Sequence, residues 1–257
     1  MLEAELAEAQ TLKKLLEAIK ELITDANFQC NEQGISLQAM DNSHVAHVFV
    51  QLEKAVFVNY RCDSPISIGV HLNSFAKILK CAKDDDVCIL NAAADDGMLH
   101  LTYKAKDAGR ISKYRLKLID MDTNTFDIPD TYYDVRVKLP SEELLRIVRE
   151  LSVLGESVRV DVSKDDVKFT TEGASADGNI LLKHTEDEGG VSIVTNQDIT
   201  LNFSLKYLVN IAKSESLSPQ VLMGMNANVP LLVLYRFGHG RVQYYLTPSP
   251  RTGDEQS

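Results

Sequence analysis

Residues 74–83, Ser74-Phe-Ala-Lys-Ile-Leu-Lys-Cys-Ala-Lys83, resemble residues 204–213, Ser204-Leu-Lys-Tyr-Leu-Val-Asn-Ile-Ala-Lys213. Both stretches are patterned for helix, and each follows an alternating run, at 66–72 and 199–203, whose period of two predicts a strand. Three further strand candidates follow each: 86–91, 98–104 and 110–118 in the first half, and 220–225, 231–237 and 241–246 in the second. A supersecondary unit recurring in one chain is the signature of a repeat-built fold.

Working outward, the same arrangement precedes each copy. Leu12, Leu15, Leu16, Ile19, Leu22 and Ile23 fall on one face of a 3.6-residue period and predict a helix over 11–24. Leu144, Ile147, Val148 and Leu151 do the same beyond the midpoint, where Pro140-Ser141 supplies an expected cap. Strand candidates follow each helix, at 34–40 and 44–50, then at 157–162 and 167–171. The chain therefore reads as four strand-rich units with one helix each, in two halves. Short connections make the sheets antiparallel, with helices gathered on one side, which is an α+β architecture.

The faces of these helices away from their apolar stripes carry cations. The first has Lys13, Lys14 and Lys20, and the second Lys77, Lys80 and Lys83. The third has Arg146 and Arg149, and the fourth Lys206 and Lys213. Glu17, Glu21, Glu142, Glu143 and Glu150 share the two longer helices, whereas 74–83 and 204–213 hold no acid. Any surface helix carries lysines. Four at equivalent repeat positions, in a chain of net charge −10, make a basic stripe on an acidic body. Such a stripe suits sequence-independent phosphate contact to duplex DNA, weak and salt-sensitive. With no tryptophan and no basic patch interleaved with aromatic residues, stacking on single strands is not indicated.

The 257 residues, 44% of them apolar, suffice for one large domain or two of about 120, each able to close a core. No apolar run reaches the roughly 18 residues that span a bilayer, and the acidic start Met1-Leu-Glu-Ala-Glu-Leu-Ala-Glu8 does not read as a signal peptide. An intracellular protein is expected. Cys30, Cys62, Cys81 and Cys88 form no CxxC pair, so reduced and mostly buried thiols are expected. The six histidines make no HxxxH or HExxH motif. The runs Asp84-Asp-Asp86 and Asp120-x-Asp122 read as acidic loop and linker before metal site. No enzyme and no cofactor are expected.

Five ordered segments then carry a resemblance. They are Leu37-Gln-Ala-Met-Asp-Asn-Ser-His44, Tyr60-Arg-Cys-Asp63, Lys77-Ile-Leu-Lys80, Leu116-Lys-Leu-Ile-Asp-Met-Asp122 and Val229-Pro-Leu-Leu232. Together they closely resemble the proliferating cell nuclear antigen family, the eukaryotic replicative sliding clamps, from Met1 to about Pro248. The resemblance implies the DNA-clamp fold: two pseudo-repeated domains with sheets outside and helices inside, closed as a homotrimeric ring around duplex DNA. It implies a clamp domain at 1–117, a connector at 118–134, a second clamp domain at 135–250 and a flexible tail at 251–257. By position, Lys13, Lys14, Lys20, Lys77, Lys80, Arg146, Arg149 and Lys213 would face DNA. The subunit interface would pair 109–117, with Ile111 and Tyr114, to 175–183, with Asn179 and Ile180.

The family's connector walls a pocket for short hydrophobic-aromatic peptides of DNA polymerases, flap nuclease and DNA ligase. The matching residues are Met40, His44, Val45, Phe126, Ile128, Pro129, Val229, Pro230 and Tyr245. Lys164 matches the ubiquitin acceptor. No GxxxxGK phosphate loop is present, so ring opening calls for a separate ATP-dependent clamp loader. A nuclear protein with no membrane partner follows. His47 stands where the family has an apolar residue, and Leu246-Thr-Pro-Ser-Pro250 replaces a Leu-Ala-Pro-Lys pattern, with Thr247 at the partner contact. Both departures imply retuned partner choice. A checkpoint-type heterotrimeric clamp, and an interaction module with no DNA role, are the alternatives.

Overall fold

The computed structural model describes residues 1–93, 96–107, 109–121 and 131–250. These residues form two compact units. One holds 1–42, 48–127 and 236–242, and the other 43–47, 128–235 and 243–257.

In chain order the first half runs β1 Leu2–Leu6, α1 Gln10–Ile19, β2 Asp25–Asn31, β3 Gly34–Met40, β4 Ala46–Glu53, β5 Asn59–Cys62, β6 Ile66–His71, α2 Leu72–Leu79, β7 Val87–Ala92, β8 Met98–Lys104 and β9 Ile111–Lys117. The second runs β10 Val135–Pro140, α3 Ser141–Ser152, β11 Ser157–Val162, β12 Asp166–Glu172, β13 Asp177–Lys183, β14 Ser192–Thr195, β15 Ile199–Ser204, α4 Leu205–Ala212, β16 Gln220–Met225, β17 Leu231–Phe237 and β18 Gly240–Leu246. Each half is thus a strand–helix–three-strand unit twice over, with β5 and β14 inserted. The expected four-unit repeat is present.

Pairing follows the repeat. In the first unit β1 pairs with β7 and β6 with β2; in the second β10 pairs with β16 and β15 with β11, all antiparallel. Each pair joins the first strand of one repeat to the second strand of its sibling. Helix starts show the same logic. A helix leaves its first N–H groups without internal partners, and none of the four has a side-chain cap. Instead Ala9, Leu72, Ser141 and Leu205 donate their N–H to the carbonyls of Asp86, Thr24, Pro219 and Glu156, at 2.8–3.0 Å. Each acceptor directly precedes the strand paired with the one leading into that helix. The cap expected from Ser141 is therefore corrected: its N–H is met by the Pro219 carbonyl, and its hydroxyl is buried with no partner among the described residues.

The first helix is also shorter than its periodicity predicts, ending at Ile19. Leu22 and Ile23 remain buried because a turn, with both N–H groups donating to the Ile19 carbonyl, continues the inward phase before β2 begins. Helical faces seal the cores. Phe75 of α2 meets Phe28 of β2 edge-on at 6.3 Å between ring centres. All four cysteines are free thiols; Cys30 and Cys88 are buried, Cys62 half-buried and Cys81 exposed. Burial pushes the Cys30 and Cys88 thiols up to about 12, which makes them inert.

In the second unit the Ser214 and Tyr244 hydroxyls share a buried hydrogen bond of 2.6 Å. Tyr235, edge-on to Tyr244, has a buried hydroxyl with no partner among the described residues. Tyr244→Phe strands Ser214 and should cost about 1–3 kcal/mol in urea denaturation. Tyr235→Phe should be neutral or stabilising, because it removes a polar atom that pairs with no protein group.

Candidate nucleic-acid, subunit and partner interfaces

The inward stripe of α1 is Leu12, Leu15, Leu16, Ala18 and Ile19, and that of α2 is Leu72, Phe75, Ala76 and Leu79. With those faces committed to the core, the cations fall outside. Lys77, Lys80 and Lys83 are exposed, whereas Lys13, Lys14 and Lys20 are half-buried along their stems. The two helices pack together and bound a groove of about 430 Å³ lined by Lys13, Leu16, Glu17, Ala76, Leu79 and Lys80.

Sequence reading missed how far acids engage this stripe. The Lys13 ammonium donates to the Ala82 carbonyl and lies 2.8 Å from the Asp84 carboxylate. Lys20 lies 2.6 Å and Lys80 3.6 Å from the two oxygens of Glu17. Burial pushes Glu17 up, but its bonds and charge attraction to Lys20 and Lys80 outweigh it and hold the carboxyl below its ordinary value. Lys14 and Lys77 make no ion pair among the described residues. The i,i+3 spacing of Glu17 and Lys20 was a visible signal; Lys80 and Asp84 lie too far along the chain for local spacing to link them to α1.

In the second unit α3 and α4 pack together. Arg146 pairs with Glu150 at 2.9 Å, one helical turn on. Arg149 and Lys206 are exposed without an ion pair among the described residues, and Lys213 opens a short 3-10 turn, Lys213–Leu217. Exposed pairs of this kind are weak and yield readily to a competing anion.

Each unit also ends a sheet on an uncovered strand. The order β5-β1-β7-β8-β9 leaves β9 at an edge, and β13-β12-β11-β15 leaves β13 at one. On β9, Ile111 is 60% exposed and Tyr114 packs on Tyr103 at 5.5 Å; on β13, Leu181 is 47% exposed beside half-buried Ile180. Asn179 is exposed on the same strand. Edges with apolar side chains are templates for another strand. Val153 and Leu154, past the end of α3, are exposed as well, and the Leu154 side chain borders Gly178 of β13.

Of the expected pocket residues, Met40 ends β3 in the first unit. His44, Val45, Val229, Pro230 and Tyr245 belong to the second. Phe126, Ile128 and Pro129 lie outside the described residues, as does the tail 251–257. His44 has φ 57°, the one positive value on a non-glycine among the described residues. The Thr247 N–H donates to the Val45 carbonyl at 3.0 Å. The His47 and Tyr245 rings lie 6.0 Å apart. Tyr133 was not singled out from sequence. Its ring fills the space a side chain at Gly224 would need, and burial, with Tyr245 nearby, pushes its phenol up to about 12.

Repeated units with basic helices and exposed apolar sheet edges recur in known proteins. The family profile described as proliferating cell nuclear antigen, N-terminal domain, matches residues 1–126, and that of the C-terminal domain matches residues 127–249. The proliferating cell nuclear antigen of Chaetomium thermophilum is 42% identical over 261 residues, covering 100% of both chains. The chain belongs to the proliferating cell nuclear antigen family. It is a DNA sliding clamp, a replication and repair processivity factor that catalyses nothing itself. The replicative reading is favoured over the checkpoint-type alternative because similarity to the replicative clamp runs the whole length.

His47 should make stability depend on pH, with a definite sign. Burial lowers its pKa from 6.5, so the folded state favours the neutral ring. Below that value the unfolded chain binds the proton more readily, and stability falls as pH falls. The melting temperature of the wild type, relative to His47→Leu, should therefore drop between about pH 7 and pH 5. A constant difference would place the ring in ordinary solvent.

Proposed function

We propose that three copies of this chain close into a ring by pairing β9 of one protomer with β13 of the next, and that duplex DNA passes through it. Two exposed apolar edges, one per unit, carry this reading: head-to-tail pairing uses both, and closure at three leaves no such edge open. Lys13, Lys14, Lys20, Lys77, Lys80, Arg146, Arg149 and Lys213 line the hole and meet phosphates without reading bases. A separate ATP-driven loader opens the ring. Polymerases, flap nuclease and ligase dock through short hydrophobic-aromatic peptides on the surface of Met40, His44, Val45, Val229, Pro230 and Tyr245, completed by connector residues Phe126, Ile128 and Pro129. A few buried anchors carry most of the energy of such docking. Exposed Lys164, in the turn between β11 and β12, is the ubiquitin acceptor, and the protein works in the nucleus.

Retention separates a ring from a surface binder. A loaded clamp should stay on closed circular duplex and slide off linear duplex. The double variant Lys77→Glu, Arg149→Glu should melt as the wild type does, because exposed charge changes cost within about 0.5 kcal/mol, yet lose polymerase stimulation. Unchanged stimulation across a salt series would remove the basic lining from the mechanism.

A further inference from the structure

We propose that Glu17 is an internal competitor for phosphate, holding Lys20 and Lys80 so that these two cations meet DNA only by exchange. The proposal rests on the reading that α1 and α2 face the duplex.

Among the described residues Glu17 is the one acid whose two oxygens engage cations at the ends of both helices, Lys20 at 2.6 Å on its own and Lys80 at 3.6 Å on the neighbour. It lines the groove between them with Lys13, Leu16, Ala76, Leu79 and Lys80, and no other acid lines that groove among the described residues. A phosphate arriving at Lys80 therefore competes with the carboxylate for the ammonium group. The exchange is cheap at Lys80, because Lys80 is 66% and Glu17 47% exposed and such pairs are weak; Lys20, 15% exposed, is held more firmly. It still subtracts from each contact, since the displaced carboxylate repels the phosphate. Lys77 lacks this counterweight. Cations that swap one anion for another hold a phosphate loosely, as passage along a backbone requires.

The test measures equilibrium binding of the intact protein to a short linear duplex by fluorescence anisotropy over a salt series. Glu17→Gln should bind more tightly at low salt. With up to two cations freed per protomer, binding should fall about tenfold more steeply, for each protomer that touches the duplex, between about 50 and 200 mM salt than in the wild type. Lys80→Gln should cost less affinity than Lys77→Gln, because Lys80 gives up a paired charge. This second comparison leaves Glu17 in place and stands even if Glu17→Gln disturbs helix packing. Equal losses from Lys80→Gln and Lys77→Gln, or a Glu17→Gln variant that folds normally with an unchanged salt slope, overturn the proposal. If Lys77→Gln itself leaves binding unchanged, the basic lining fails first and the role of Glu17 falls with it.

Discussion

Ile111→Asp is expected to leave the protomer folded and to convert the assembly from three chains to one. Ile111 opens β9, opposite Lys104 of β8, and its side chain is 60% exposed within the protomer. A carboxylate there is solvated in the free subunit, so the melting transition of the monomer should move little. Pairing β9 with another strand would take that charge, and Lys104 opposite it on β8, out of water. Desolvating ions in this way costs on the order of 3–5 kcal/mol, which is about two to three orders of magnitude in each subunit contact. Light scattering across a dilution series from about micromolar should therefore give one chain's mass where the wild type gives three. Val58→Asp is the control. Val58 is equally exposed, at 61%, and leads into β5 at the opposite edge of the same sheet. It should leave the mass at three chains; if Ile111→Asp does so too, β9 is not the joining strand.

The second large effect belongs to Gly69, buried in β6. Its carbonyl accepts the Ile119 N–H at 2.9 Å, so the chain leaving β9 lies directly on this strand. A Cβ at 69 would stand 2.2 Å from the Ile119 carbonyl oxygen and 3.4 Å from the Met121 side chain. The nearest obstacle is backbone, and the segment must move. Gly69→Ala should cost about 1–3 kcal/mol as an overpacking change, roughly 3–10 °C in the melting temperature at this size. It should also weaken partner peptides, because it shifts the start of the connector. Gly109→Ala, where nothing lies within 4 Å of a new Cβ, should change neither. A normal melting temperature for Gly69→Ala would mean that 118–121 does not rest on β6.

Much of this architecture is legible in the chain itself. Strands β3, β8, β11, β16 and β17 have the bounds that their apolar patterning predicts. β8 and β11 bury one face and wet the other, which writes a period of two into the sequence, whereas β17 is buried from Leu231 to Tyr235 and reads as a continuous apolar run. The repeat in 74–83 and 204–213 is equally plain, because α2 and α4 solve the same packing problem in each unit. Strands β1 and β2 were not read. β1 is a five-residue run, Leu2–Leu6, too short for its alternation to stand out, and β2 begins at once after the turn that prolongs the α1 pattern.

What the sequence by itself determined is the set of local choices: period, repeat, the polarity of each helix face, and through these the family. Periodicity depends on neighbours along the chain, so one sequence suffices to see it. Tertiary structure decided which groups meet. Helix N-termini were assigned to strand-flanking carbonyls rather than to Ser141, Asp84 was brought to Lys13, and Lys80 to Glu17. Those partners stand 48–78 residues apart, and only the folding of one repeat against its sibling brings them together, where electrostatics is decided over a few ångströms.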